Sequence, residues 1–171
     1  MKRILIAGIG NIFLGDDAFG CEVVNQLSNH EWKEDVRAID FGIRSYDLAY
    51  ALTGNYDVVI LVDAAPHGEA PATVYLMEID LNGLPAESAV PHNAHSLDTI
   101  QALQMAQSLG NITAKIYLVG CEPAVLESDG GEIGLSENVR AAVPQALAMI
   151  ESLARGEPRP DAKTEIGFVP V

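Results

Sequence analysis

The sequence predicts an α/β fold: a three-layer α/β/α sandwich around a mostly parallel, twisted five-stranded sheet with one antiparallel strand. Three observations carry this prediction. Short apolar, β-branched runs alternate with helical patterns along the chain, which is how βαβ units read. The run Val58-Val59-Ile60-Leu61-Val62 is apolar at every position, as a central parallel strand covered on both faces must be. Only residues 63–72 separate that run from the next strand pattern, too few for a crossover helix. The strand that follows is therefore expected to be antiparallel to its partner or at an edge.

The elements follow in order. Arg3–Gly8 is a buried first strand, and a helix over about 18–30 follows it with Val23, Val24 and Leu27 as its apolar stripe. A second strand lies near Val36–Phe41. A short helix over Ser45–Thr53 is ended by Gly54-Asn55. Strand three is Asp57–Val62 and strand four about Thr73–Ile79, where Val74, Leu76 and Met77 stand among polar neighbours. The stretch 80–94, with Gly83, Pro85 and Pro91, reads as a long loop of the kind that carries function. A helix over 96–109 stops at Gly110-Asn111, and Ala114–Val119 is strand five. A glycine-rich loop, 120–134, leads to a last helix over Ser136–Ala154. Residues 1–155 are read as one domain and 156–171, with Pro158, Pro160 and Pro170, as a flexible tail.

Bulk composition narrows the functional classes. The chain has 171 residues and a net charge of −14. That excess of acid argues against a nucleic-acid surface, which needs clustered Lys and Arg. It suits metal cations and basic peptide segments. The two cysteines, Cys21 and Cys121, form no CxxC motif. They are expected as reduced, buried thiols in a reducing compartment. No secretory signal pattern and no apolar run of membrane-spanning length is present, so a cytoplasmic protein without a membrane association is expected.

The first twenty residues hold the most chemistry. A strand runs into Ile9-Gly10-Asn11-Ile12-Phe13-Leu14-Gly15-Asp16-Asp17-Ala18-Phe19-Gly20. A strand, a glycine turn and then a helix is how open α/β sheets build a ligand crevice at the carboxyl ends of their strands. Two acids stand where a phosphate-binding loop would avoid them. Asp63 ends the third strand pattern, and His92 and His95 precede the helix after strand four. All should meet on one rim. Two carboxylates and an imidazole make a site for a divalent transition metal with coordination positions left open. Bland roles compete with that reading: an Asp ahead of a helix is commonly its cap, and an Asp at a strand end commonly holds loop backbone. Asp16 and Asp17 are neighbours whose side chains diverge, so one caps the helix while the other faces the crevice, and position alone leaves open which. His30 and His67 read as solvent-exposed.

Other motifs fail. Phe13 occupies the third glycine position of a dinucleotide fingerprint begun by Gly8 and Gly10, although Asp40 would suit its ribose-binding acid. A nucleotide-binding, Rossmann-like protein is thereby weakened as a reading. His30-Glu31-Trp32-Lys33-Glu34 begins like a zincin motif but ends in Glu. No GxSxG elbow and no catalytic cysteine context is present, so the sequence offers no obvious nucleophile.

The assembled residues resemble the hydrogenase maturation endopeptidases, which process the large subunit of nickel–iron hydrogenases. The resemblance covers nearly the whole chain, to about residue 155. Gly8-Ile9-Gly10-Asn11 with Gly15-Asp16-Asp17 and Gly20 looks like that family's GxGN…(D/E)xxG opening. Val62-Asp63-Ala64 looks like its second acidic motif and His95-Ser96-Leu97 like its histidine motif. Gly120-Cys121-Glu122-Pro123 and Gly134-Leu135-Ser136 resemble its later elements. Asp40 with Gly42 resembles a third motif, from which this chain departs by placing Phe41 where the family has a glycine.

The resemblance implies Asp17, Asp63 and His95 as nickel-contacting, catalytic residues, with Asp16 and His92 as the alternatives and Asp40 and Gly42 as a substrate loop. It implies an endopeptidase that removes a C-terminal extension from a nickel-loaded large-subunit precursor, the nickel being supplied by that substrate. Water is then the expected attacking group, and a monomer meeting a large partner at its open rim the expected state. A non-catalytic, metal-dependent docking scaffold would share every ligand.

Overall fold

A computed structural model describes residues 1–32, 35–84, 94–126, 133–157 and 165–166, with side chains described for all of these but 94–98, 165 and 166. The strands are β1 (Arg3–Ile9), β2 (Asp35–Gly42), β3 (Val58–Ala64), β4 (Val74–Ile79), β5 (Lys115–Cys121) and a two-residue β6 (Glu165–Ile166). The helices are α1 (Phe19–Leu27), α2 (Ser45–Leu52), α3 (Ala94–Leu109) and α4 (Glu137–Arg155). Strand order is β2-β1-β3-β5-β4-β6. The first four run parallel, β4 is antiparallel to β5, and β6 pairs parallel with β4. The predicted sandwich is thus the observed one, with its antiparallel strand where the short β3–β4 connection required it, and with a sixth, two-residue strand added on β4 from the stretch read as a flexible tail.

Alternation along β1 divides the core. Ile4 and Ile6 face a cluster with Phe19, Val23, Val24 and Leu27 of α1 and Val139, Val143 and Ile150 of α4. Leu5, Ala7 and Ile9 face Leu48 and Leu52 of α2 and Leu103 and Ala106 of α3. Two layers of helices therefore seal the sheet on both faces, which explains the unbroken apolar run of β3. Among the described residues no helix is long and apolar enough to cross a membrane.

Several boundaries differ from the sequence reading. β3 and β5 run two residues further than their apolar runs, because Asp63 and Gly120 continue the pairing between them. The helix expected over about 18–30 is α1, Phe19–Leu27, which ends three residues early and is preceded by a single 3-10 turn, Gly15–Ala18. His30 and His67 are half-buried rather than exposed. His30 packs on Trp32 with ring centroids 4.4 Å apart, and His67 stacks on Tyr75 at 4.6 Å. Both histidines find an aromatic face, a contact that residue type and local pattern do not announce.

Candidate active site

The geometry of the rim is set by where α1 sits. A Cβ on Gly20 would come within 2.1 Å of the Val62 carbonyl oxygen and 2.3 Å of that of Ile9. The bare backbone at this position lets the first turn of α1 rest directly on β1 and β3. Gly10 leaves the strand at φ 140°, and a Cβ there would lie 1.8 Å from the Asp17 carbonyl oxygen. The chain thus folds back tightly enough to set the 3-10 turn, with both its acids, across the end of the sheet.

The two neighbouring acids have separate tasks. Asp16 is fully buried. Its Oδ2 accepts hydrogen bonds from Ala124 N at 2.9 Å, Val125 N at 2.8 Å and Ser136 Oγ at 3.0 Å, and its Oδ1 accepts from Ser136 N at 2.7 Å. The Asp16 main chain adds a bond from its N–H to the Val125 carbonyl, 3.0 Å. Asp16 is therefore a brace between the β1–α1 loop and the segment leading to α4. Neither acid caps the helix that follows it, contrary to the sequence expectation. The carboxylate of Asp16 is instead committed to the entry of α4, where Ser136 is the cap residue and negative charge is favoured. Asp17, also buried, accepts from Asn11 N through Oδ2 at 2.7 Å.

Asp63 is buried at the end of β3, and its Oδ2 accepts from the Thr99 hydroxyl of α3 at 3.0 Å. Asp40 is half-buried at the end of β2. Its Oδ1 accepts from Gly42 N at 2.9 Å and its Oδ2 from Asn25 Nδ2 at 3.4 Å. Gly42, at φ 54°, carries the chain out of the strand, and its carbonyl accepts from Gly10 N at 3.1 Å. Phe41, the departure from the glycine pair, turns its side chain into the core beneath α2 and α3 and leaves the loop unobstructed.

Register and electrostatics bring these groups together. Gly8 of β1 is level with Asp40 on one side and Val62 on the other. The buried Cys21 thiol donates to the Gly10 carbonyl at 3.6 Å, at the foot of the same turn. Burial first, then a hydrogen bond with Asp40 and the fields of Asp40, Asp63 and Asp17, push its pKa up to about 12. Asp16 belongs to a different neighbourhood: burial, then Asp16 and Glu122, raise the Cys121 thiol to about 12. Asp17, Asp40 and Asp63 are thus the acids whose fields reach Cys21, and Asp16 is the one whose field reaches Cys121. Both cysteines are free and buried.

His92 lies outside the described residues. His95 lies in the first turn of α3, and its side chain is outside those described. Among the described residues no three His, Cys, Asp or Glu side chains form a group able to hold a metal. Thr99, four residues after His95, was not anticipated from sequence. The signal was present as that helical spacing, which puts the two positions on one stripe of α3. Glu122 was noted only as part of a motif. Its Oε2 accepts from His67 N at 2.6 Å and Glu69 N at 3.2 Å, so it fastens the β3–β4 loop beside the site. Next to it, burial and then the field of Asp63 push the Tyr75 phenol far up, and its hydroxyl donates to the Ala65 carbonyl at 2.8 Å.

Comparison with known proteins matches residues 21–153 to the model of the hydrogenase maturation protease family. The chain belongs to the hydrogenase maturation proteases. Hydrogenase 2 maturation protease of Escherichia coli K12 is 31% identical over 156 residues, covering 90% of this chain and 91% of that protein. The structure of the hydrogenase maturating endopeptidase HybD from E. coli superposes with a TM-score of 0.76 at 30% identity, over 90% of this chain and 93% of that one. A hydrogenase 2 maturation peptidase from a Thaumarchaeota archaeon gives a TM-score of 0.67 at 29% identity, over 92% and 100% of the two chains. The protein is accordingly a hydrolase of the maturation endopeptidase type.

One consequence for this maturation protease follows from the thiol environment. A thiolate, not a thiol, attacks alkylating reagents. With a pKa near 12 and a buried sulfur, Cys21 of the native protein should resist iodoacetamide at pH 8, and so should Cys121. Mass spectrometry is expected to show no adduct before unfolding and two after it. A native adduct on Cys21 would contradict the packed, acid-lined environment described.

Proposed function

We propose that this protease removes a C-terminal extension from the nickel-loaded precursor of a nickel–iron hydrogenase large subunit, reading the nickel through Asp17, Asp63 and His95. The observation that carries the reading is that Gly20 seats the helix after Asp17 against the Val62 carbonyl, one residue before Asp63, while Thr99 ties Asp63 to α3 one turn after His95. Two carboxylates and an imidazole suit a borderline divalent metal such as nickel. The processing role is supported by the relatives, named as maturation proteases of hydrogenases. In this reading nickel is cargo of the substrate, so the protease acts on a precursor that carries it and leaves an empty one alone.

The protein's own groups then have distinct tasks. Asp17 and Asp63 present carboxylates from two different strand ends, so a metal can bind only where both reach it. Thr99 holds Asp63 in orientation, as the partners of metal-binding carboxylates do. Asp40 and the Gly42 turn shape the adjoining wall along which a peptide segment lies. A bound metal would polarise the scissile carbonyl or activate a water, and water is the attacking group. The protein acts as a monomer in the cytoplasm.

The test is incubation of the protein with nickel-loaded and nickel-free large-subunit precursor, reading mass loss at the precursor's C-terminus. Cleavage of the loaded form alone is expected. Binding without any cleavage would sink the endopeptidase role, and equal cleavage of both forms would sink the nickel reading. Thr99→Val should lower kcat by ~10–100-fold, the usual cost of losing such a supporting bond. The loss should come with little change in melting temperature, and Thr99→Ser should restore the rate.

A further inference from the structure

Eight large hydrophobic side chains stand exposed among the described residues, and four of them lie in the segments that leave the carboxyl ends of β1 and β2. Ile12 and Phe13, 51% and 62% exposed, follow β1. Ile43 and Tyr46, 62% and 74% exposed, follow β2. This is the rim that carries Asp17, Asp40 and Asp63. Exposed apolar residues scattered singly need no explanation, but a concentration around one crevice does.

The loops that carry these residues are fastened along their length. Phe13 N donates to Asn11 Oδ1 at 3.0 Å and Leu14 N to the Asn11 carbonyl at 3.1 Å. Asn11 N is itself held by Asp17, and the next residue along, Asp16, is braced to the segment before α4. On the neighbouring strand, Arg44 N and Nε both donate to the Phe41 carbonyl, at 2.9 Å and 3.1 Å, on either side of Ile43. Gly10 N to the Gly42 carbonyl joins the two loops at their bases. Phe13 and Ile43 are therefore presented to solvent by ordered backbone. A preorganised apolar projection loses little entropy when covered, which is what an interface anchor requires.

We infer that Ile12, Phe13, Ile43 and Tyr46 form an apolar docking collar for the folded body of the precursor protein whose segment is cut. The inference rests on the proposed function, because a segment that reaches the buried carboxylates must bring its parent surface against these projections. The partner's chemistry follows from the rim. Its matching face is apolar, to cover aromatic and branched side chains, and it is free of acidic groups, since the crevice holds three carboxylates and the chain carries a net charge of −14. Affinity supplied by the collar is insensitive to salt, whereas contacts inside the crevice are not.

The experiment uses the full chain and a nickel-loaded large-subunit precursor, measuring Kd by titration and kcat and KM by cleavage. The variants are Phe13→Ser/Ile43→Ser and, separately, Tyr46→Ser, with thermal melting as a check of folding. The double variant should melt like wild type, weaken Kd by at least ~10-fold as hot-spot truncation does, and keep kcat at saturating precursor within about twofold. Tyr46→Ser should weaken Kd in the same sense. An unchanged Kd in the folded double variant overturns the collar while cleavage, and so the proposed function, survives. If wild type binds the precursor through a collar-dependent contact but never cleaves it, the docking surface stands and the endopeptidase role fails. If wild type neither binds nor cleaves, both fall.

Discussion

Asp16→Ala and Asp17→Ala, one residue apart, are expected to fail in opposite ways. Asp16 accepts four hydrogen bonds, three of them from main-chain N–H groups of residues 124, 125 and 136. Truncation leaves those donors in a closed space without an acceptor, and each such group costs on the order of 1–3 kcal/mol. Because the three share one site, the loss should total about 3–5 kcal/mol. That corresponds to a fall of roughly 10 °C in melting temperature for a chain of this size. Asp17→Ala loses the bond from Asn11 N, about 1–2 kcal/mol, and should melt closer to wild type than Asp16→Ala does. Its processing of the loaded precursor should nevertheless drop by ~1,000-fold, the several kcal/mol that metal contact contributes. Circular dichroism melts alongside the C-terminal mass assay read both quantities. An Asp16→Ala protein that melts within ~2 °C of wild type would show that the brace is idle. An Asp17→Ala protein that processes normally would remove Asp17 from the site.

Gly20→Ala should have the second-largest effect, and its sign runs against ordinary helix chemistry. Ala is the better helix former by ~1 kcal/mol in a helix interior. Here the added methyl would lie 2.1 Å from the carbonyl oxygen of Val62 and 2.3 Å from that of Ile9. Those atoms belong to the adjacent strands β3 and β1, so neither can yield without disturbing the sheet. Overpacking against backbone belongs at or beyond the upper end of the usual range, about 3 kcal/mol or more. The helix would be pushed off the strands, and the 3-10 turn that bears Asp17 joins it directly. Reduced solubility and a lower melting temperature are expected, with processing lost even at temperatures where the variant is folded. A raised melting temperature would show that the contact relaxes.

The fold was legible because its signals were local or periodic: apolar runs for the buried strands, and a β3–β4 connection too short for anything but a reversal. That Asp17 and Asp63 stand on one rim was legible as topology, since one follows β1 and the other lies at the end of its parallel neighbour β3. The division of labour between Asp16 and Asp17 was not. It depends on which backbone donors come within 3 Å of a carboxylate, and those donors lie 108 to 120 residues away in sequence. Thr99 and Glu122 were hidden for a similar reason. A hydroxyl mid-helix and an acid after a strand look ordinary until the residue they hold is known. Phe41 stands where the resembled motif has a glycine, yet its side chain is buried in the core, and the turn is left to Gly42.

The long reach of the Asp16 brace has a consequence for timing. A ribosome makes a chain from its amino end, so Asp16 and Asp17 emerge well before the residues that hold them. Their loop cannot be fixed until residues 124 to 136 have been made and the sheet has closed around β5. Non-local pairings of this kind form late and slowly. A nascent or truncated chain therefore holds every acid of the crevice without holding the crevice. The crevice is expected to be set only once residues 124–136 have joined the fold.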